Sequence, residues 1–165
     1  MKTIALNAVL TLLAVFIFAA CASRQTTAGS EAMATEIRHA VQQTDFRFVP
    51  RRAQPSTFRS VQLTPTFSVN VSPEEVQSDM PFFGRAFRAP LNPTEGPFSF
   101  TSNDFTYTIE QGRRAGNWRV QIVFNDMGRR VIYNFDIWES GLSRLTIIDP
   151  ERTSISFQGD IIRGS

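Results

Sequence analysis

Trp118-Arg119-Val120-Gln121-Ile122-Val123-Phe124, the break Asn125-Asp126-Met127-Gly128, and then Val131-Ile132-Tyr133-Asn134-Phe135-Asp136-Ile137 form the stretch that decides the fold. Trp118, Val120, Ile122 and Phe124 recur at period two, with Arg119 and Gln121 on the other side. Val131, Tyr133, Phe135 and Ile137 repeat the pattern, and a period of two is that of a strand with one buried face. The Asn, Asp and Gly between the runs are turn residues, so the stretch reads as an antiparallel hairpin. Working outward, Phe67, Val69 and Val71 alternate with Ser68, Asn70 and Ser72. Phe105, Tyr107 and Ile109 alternate with Thr106 and Thr108. Leu145 and Ile147, then Ile155 and Phe157, continue the pattern downstream, with breaks at 112–117, 139–141 and 149–150. No helical pattern intervenes, so these are consecutive hairpins and not βαβ units. Val123, Ile132, Trp138 and Ile148 put apolar residues on the second face too. One flat sheet buries both faces poorly, which implies curling.

Before the strands, Ser30 can cap a helix with Glu31 in its first turn, and Met33, Ile37, Ala40 and Val41 recur at helical spacing up to about Thr44. The expected fold class is therefore α+β: one N-terminal helix followed by an antiparallel β meander curled into a sandwich or partly open barrel. Pro73, Pro81, Pro90, Pro93 and Pro97 deny 73–97 a long regular element, and its large side chains make it a packed loop.

The 165 residues suffice for one domain with a real core. Seventeen basic side chains stand against fifteen acidic ones, for a net charge of +2, which argues against a nucleic-acid-binding face. A single Cys and a single His exclude an intrachain disulfide and a Cys/His metal cluster. No metal or other cofactor is expected.

Met1-Lys2 precedes the apolar run Ile4 to Phe18, and Ala19-Ala20-Cys21 follows. Fifteen helical residues rise about 22 Å, short of a hydrocarbon core of roughly 30 Å. The segment therefore reads as a secretory signal ending in a lipobox, with the Cys21 thiol as the lipidation site. Ala22 to Ser30 is small, polar and aperiodic, which suits a tether. The expected organisation is a signal peptide over 1–20, a lipidated Cys21 and tether over 21–30, and one domain over 31–165. The expected location is the cell envelope, lipid-anchored in the outer membrane and facing the periplasm.

Met80-Pro81-Phe82-Phe83-Gly84-Arg85-Ala86-Phe87-Arg88-Ala89-Pro90 is the most distinctive segment of the chain. With Ile155-Ser156-Phe157-Gln158-Gly159 near the end, it resembles the DUF4251 family of Bacteroidetes envelope proteins. Its members show P-Y/F-F-G-R-A-Y/F-x-A-P and a closing I-S-F-x-G. The resemblance spans about 34–162. Position 82 carries Phe where Tyr is common, and Pro93 and Thr94 fall in a loop that is often Gly-rich. It implies an N-terminal helix and a lipoprotein signal; the family's function is unknown, so it implies no reaction.

Arg85 and Arg88, interleaved with Phe83 and Phe87, are the candidate ligand-binding residues. A guanidinium beside aromatic faces can hold a small anionic or sugar-like ligand by forked hydrogen bonds and stacking. The weightier alternative is that the phenylalanines fill the core while Arg85 bonds loop carbonyls or a carboxylate such as Asp79 or Asp104. Arg113-Arg114 and Arg129-Arg130 fall in hairpin turns, as solvated cations that discourage edge pairing or as contacts to anionic headgroups. His39 stands alone and the aspartates are dispersed, and no nucleophile, metalloprotease or phosphate-loop motif occurs. No catalytic residue is named and the chain is expected not to be an enzyme. The functional expectation is a non-catalytic small-ligand-binding module. The first alternative is a structural partner of another envelope protein, and the second, of least weight, a carboxylate-dependent hydrolase.

Overall fold

The computed structural model describes residues 29–87, 96 and 98–164. The signal and lipobox with Cys21 lie outside the described residues. The residues from Ala34 onward form one compact unit. A helix, α1, runs over 29–42, so Ser30 lies inside it and does not cap it, and the expected tether is already helical at 29–30. Ile37, Ala40 and Val41 are buried as their spacing requires, whereas Met33 is half exposed. Thr44 ends the helix in the left-handed region at φ 56°. Its N–H donates to Val41 O, and that of Asp45 donates to Ala40 O. The pairing is that of a Schellman cap, which turns the chain into the first strand.

Among the described residues ten strands follow: β1 Phe46–Pro55, β2 Val61–Gln62, β3 Ser68–Val71, β4 Val76–Met80, β5 Phe98–Ser102, β6 Phe105–Gln111, β7 Asn117–Phe124, β8 Val131–Trp138, β9 Leu142–Ile148 and β10 Ile155–Arg163. The sheet order is β5-β4-β3-β1-β10-β9-β8-β7-β6, with β2 on the side of β1. Strands β6 to β10 form the expected meander. The rest departs from it, because the first strand pairs with the last over nine residue pairs. The 73–97 loop also needs correction. Pro73 and Pro81 bracket a proline-free run in which Val76, Ser78 and Met80 face inward, and that run is strand β4.

One helix followed by antiparallel strands thus makes a nearly closed, barrel-like sheet. Strands β4 and β8 are five steps apart along it, yet the Ser78 and Tyr133 hydroxyls share a 2.8 Å hydrogen bond. Phe100 of β5 packs edge-on against Phe124 of β7, with centroids 5.0 Å apart. The short strands β3–β5 therefore cross over the inner face of the meander. The two edge strands, β5 and β6, are neighbours in sequence, and their connection is tied to the β7–β8 turn. Ser102 Oγ donates to Asp126 Oδ1 at 2.7 Å, and Asn125 N–H donates to Asp104 O at 2.9 Å.

Phe46, Phe48 and Phe157 lie in the same interior. Phe135 meets Phe46 and Phe48 edge-on, each at 5.6 Å, and such pairs add about 0.5–1.5 kcal/mol beyond their buried area. Tyr107 reaches from β6 to donate to Val41 O at 2.7 Å and so ties α1 to the sheet. Burial pushes both phenols well above the ordinary value of about 10; for Tyr133 the Ser78 hydrogen bond acts in the opposite direction. A folded-state value raised above the unfolded one contributes stability that is complete below pH about 10 and is lost as pH rises beyond it. We therefore expect no phenolate absorbance from the native protein just above pH about 10, and ionisation of both tyrosines together with unfolding. A phenolate that titrates while the near-UV circular dichroism stays native would contradict this.

Candidate functional site

Pro81 ends β4 because it cannot donate to the ladder. The chain then passes Phe82 and Phe83, both half-buried against the core. Phe82 packs edge-on against Phe98, with centroids 5.7 Å apart. From Gly84 to Phe87 the backbone is pinned to the β9–β10 turn. Arg85 N–H donates to Thr153 Oγ1 and Thr153 N–H to Arg85 O, both at 3.1 Å. Phe87 N–H donates to Glu151 O at 2.7 Å, and Ala86 forms an antiparallel bridge with Arg152. A Cβ on Gly84 would collide with Thr153 Oγ1 and lie 2.7 Å from Phe82 Cζ, so the motif glycine permits this close approach.

At the centre of the turn is a buried carboxylate. Asp149 has a side chain 1% exposed, and both its oxygens accept from Arg129 Nε at 3.1 Å. Arg152 Nη1 donates to Oδ2 at 2.6 Å, and Glu151 N–H donates to Oδ1 at 2.9 Å. Glu151 Oε2 stands 3.8 Å from Arg129, so two acids balance two guanidinium groups. Arg152, with only 8% of its side chain exposed, lies 6.0 Å above the Phe82 ring and 5.8 Å above that of Phe98. With its lone pairs taken by arginine and backbone donors, Asp149 is built to hold the turn together.

These contacts redistribute the expected site. The guanidinium over aromatic rings belongs to Arg152, not Arg85. Arg85 is exposed, and its side chain forms no ion pair with Asp79 or Asp104 among the described residues. Phe83 turns inward, while Phe87 is 66% exposed, the highest value among the large apolar side chains described. Arg88 lies outside the described residues. Arg129, expected as a solvated turn arginine, is an internal partner of Asp149. Sequence reasoning missed the Asp149–Arg129–Arg152 cluster. Its one local signal, Asp149 three residues before Arg152, is common in turns.

No three His, Cys, Asp or Glu side chains converge among the described residues. Depressions also mark the surface of the described residues, one of them lined by Arg129 and Arg130. A second, of about 270 Å³, has Glu110, Arg119 and Asp136 in its lining, which face one another across β6, β7 and β8. Another, of about 410 Å³, lies beside Trp138, Leu142 and Arg144.

A family model described as "Domain of unknown function (DUF4251)" matches residues 28–161. Among solved structures, the crystal structure of a DUF4251 family protein from Bacteroides eggerthii DSM 20697 matches with a TM-score of 0.58 at 12% identity. The match covers 80% of this chain and 88% of that one. At that identity the likeness is one of fold. No curated protein matches the chain in sequence.

Proposed function

The chain belongs to the DUF4251 family, and from that premise we propose that it is a non-catalytic, lipid-anchored binding module of the cell envelope. Cys21 carries the lipid, the domain faces the periplasm from the outer membrane, and the partner is another envelope protein. The observation that carries the reading is Phe87. A large apolar side chain left 66% exposed is fixed to a buried ion cluster through its own backbone. A rigidly held, exposed aromatic is the kind of residue that anchors protein interfaces. The interior, by contrast, is filled by Tyr133, Phe135 and their neighbours, which argues against an enclosed ligand.

A photo-crosslinking residue at position 87 of the full chain, in cells, should capture one discrete envelope protein that the same probe at exposed Phe58 does not. Equal labelling from both positions would overturn the assignment. Cys21→Ala should move the protein from the membrane to the soluble periplasmic fraction, and retention in the membrane would overturn the anchor.

The exposed guanidinium of Arg85 beside Phe87 favours a second reading, a small anionic or sugar-like ligand held on the surface. Native mass spectrometry separates the two. A reproducible extra mass that vanishes in Arg85→Ala would select the ligand.

A further inference from the structure

We propose that the free edge of β6 pairs with β6 of a second copy, forming a two-fold dimer with one sheet running through both chains. Strand β6 pairs with β7 through seven unbroken residue pairs, and the sheet path ends there, so its other edge is open among the described residues. Exposed edges are ordinarily blunted by lysine, proline, a bulge or brevity. Phe105-Thr106-Tyr107-Thr108-Ile109-Glu110-Gln111 has none of these, and Glu110 is its only charge. Ile109 lies on the face that Tyr107 shares, yet is 38% exposed, so the monomer leaves an apolar side chain uncovered at the edge.

Charge placement selects both the occupant and the register. An antiparallel self-pair centred on Thr108 sets Thr108 against Thr108, Tyr107 against Ile109, Thr106 against Glu110 and Phe105 against Gln111. All seven residues are used, and each Ile109 is covered by the other copy's Tyr107. Centring one residue earlier would set Glu110 against Asp104, two carboxylates face to face. Centring one residue later loses the Phe105 pair to the turn that starts at Gly112. Within its own chain Glu110 stands opposite Arg119 of β7 in the ladder. A contact in which each residue meets its symmetry counterpart closes as a dimer and leaves no open β6 edge.

The test is disulfide cross-linking of the full chain in cells. Thr108→Cys places two thiols on the two-fold axis, where directly opposed residues lie about 4.5–5.5 Å apart. It should give mostly disulfide-linked dimer, whereas Thr106→Cys, which faces Glu110, should give less than a tenth as much. Thr108→Lys puts two ammonium groups on the axis and should reduce co-purification of two differently tagged copies at least tenfold, with an unchanged melting midpoint. The proposal is overturned if both cysteine variants cross-link equally, if a folded Thr108→Cys chain stays monomeric, or if Thr108→Lys leaves co-purification intact.

Discussion

Asp149→Ala is expected to cost about 3–5 kcal/mol, the loss typical when one partner of a buried ion pair is removed. Arg129 and Arg152 would be left with Glu151 alone, which stands 3.8 Å from Arg129. Solvent screening offers little relief, because the side chains of Asp149 and Arg152 are 1% and 8% exposed. The Glu151 N–H would also lose its acceptor. For a domain of this size the melting midpoint should fall by roughly 10 °C. The damage should then spread along the contacts already described. Without its carboxylate Arg152 loses its orientation over Phe82 and Phe98, and the 84–87 segment loosens from the turn. Limited proteolysis should therefore cut first near 82–87. Asp149→Asn keeps an acceptor for Glu151 N–H and should fall between the two. Arg85→Ala should shift stability by less than about 0.5 kcal/mol, as an exposed surface substitution does. If Arg85→Ala costs as much as Asp149→Ala, the assignment of the clamp to Arg152 is wrong.

That contrast shows what the sequence could and could not reveal. Inward residues of β7 and β8 were legible because period-two alternation is a property of a strand alone, independent of what covers it. The same holds for Ile37, Ala40 and Val41 at helical spacing. Strand β4 was hidden by the prolines that bracket it, since five residues are too few for alternation to stand out. The crossing of β3–β5 over the meander was also hidden, because it depends on contacts such as Ser78 with Tyr133, 55 positions apart. Arg85 drew attention by lying among phenylalanines in the chain. Arg152 is seventy positions from Phe82 in the chain, and only the register of β9 and β10 brings it there. A turn aspartate looks alike in sequence whether water or two arginines surround it.

The other large effect is expected at the glycine of the closing Ile155-Ser156-Phe157-Gln158-Gly159 segment. Gly159 faces Pro50 across the β1–β10 ladder, at the register shift between Pro50 and Arg52. The two backbones come so close there that a Cβ on residue 159 would lie 2.8 Å from Pro50 Cα and 2.9 Å from Val49 C, and would overlap Val49 O. These are main-chain atoms and cannot rotate away. The β1–β10 ladder is also the seam that joins β3–β5 to the meander. Gly159→Ala should therefore reach the upper end of overpacking costs, about 3 kcal/mol, and lower the melting midpoint by roughly 10 °C. Gly84→Ala meets a hydroxyl and a ring edge, which can shift, so it should cost nearer 1 kcal/mol. Amide exchange locates the strain: protection should fall in β1 and β10 while the β7–β8 hairpin keeps its own. Uniform loss of protection would mean that the seam is not the weak joint. An unchanged midpoint would mean that the strands are further apart than the ladder requires.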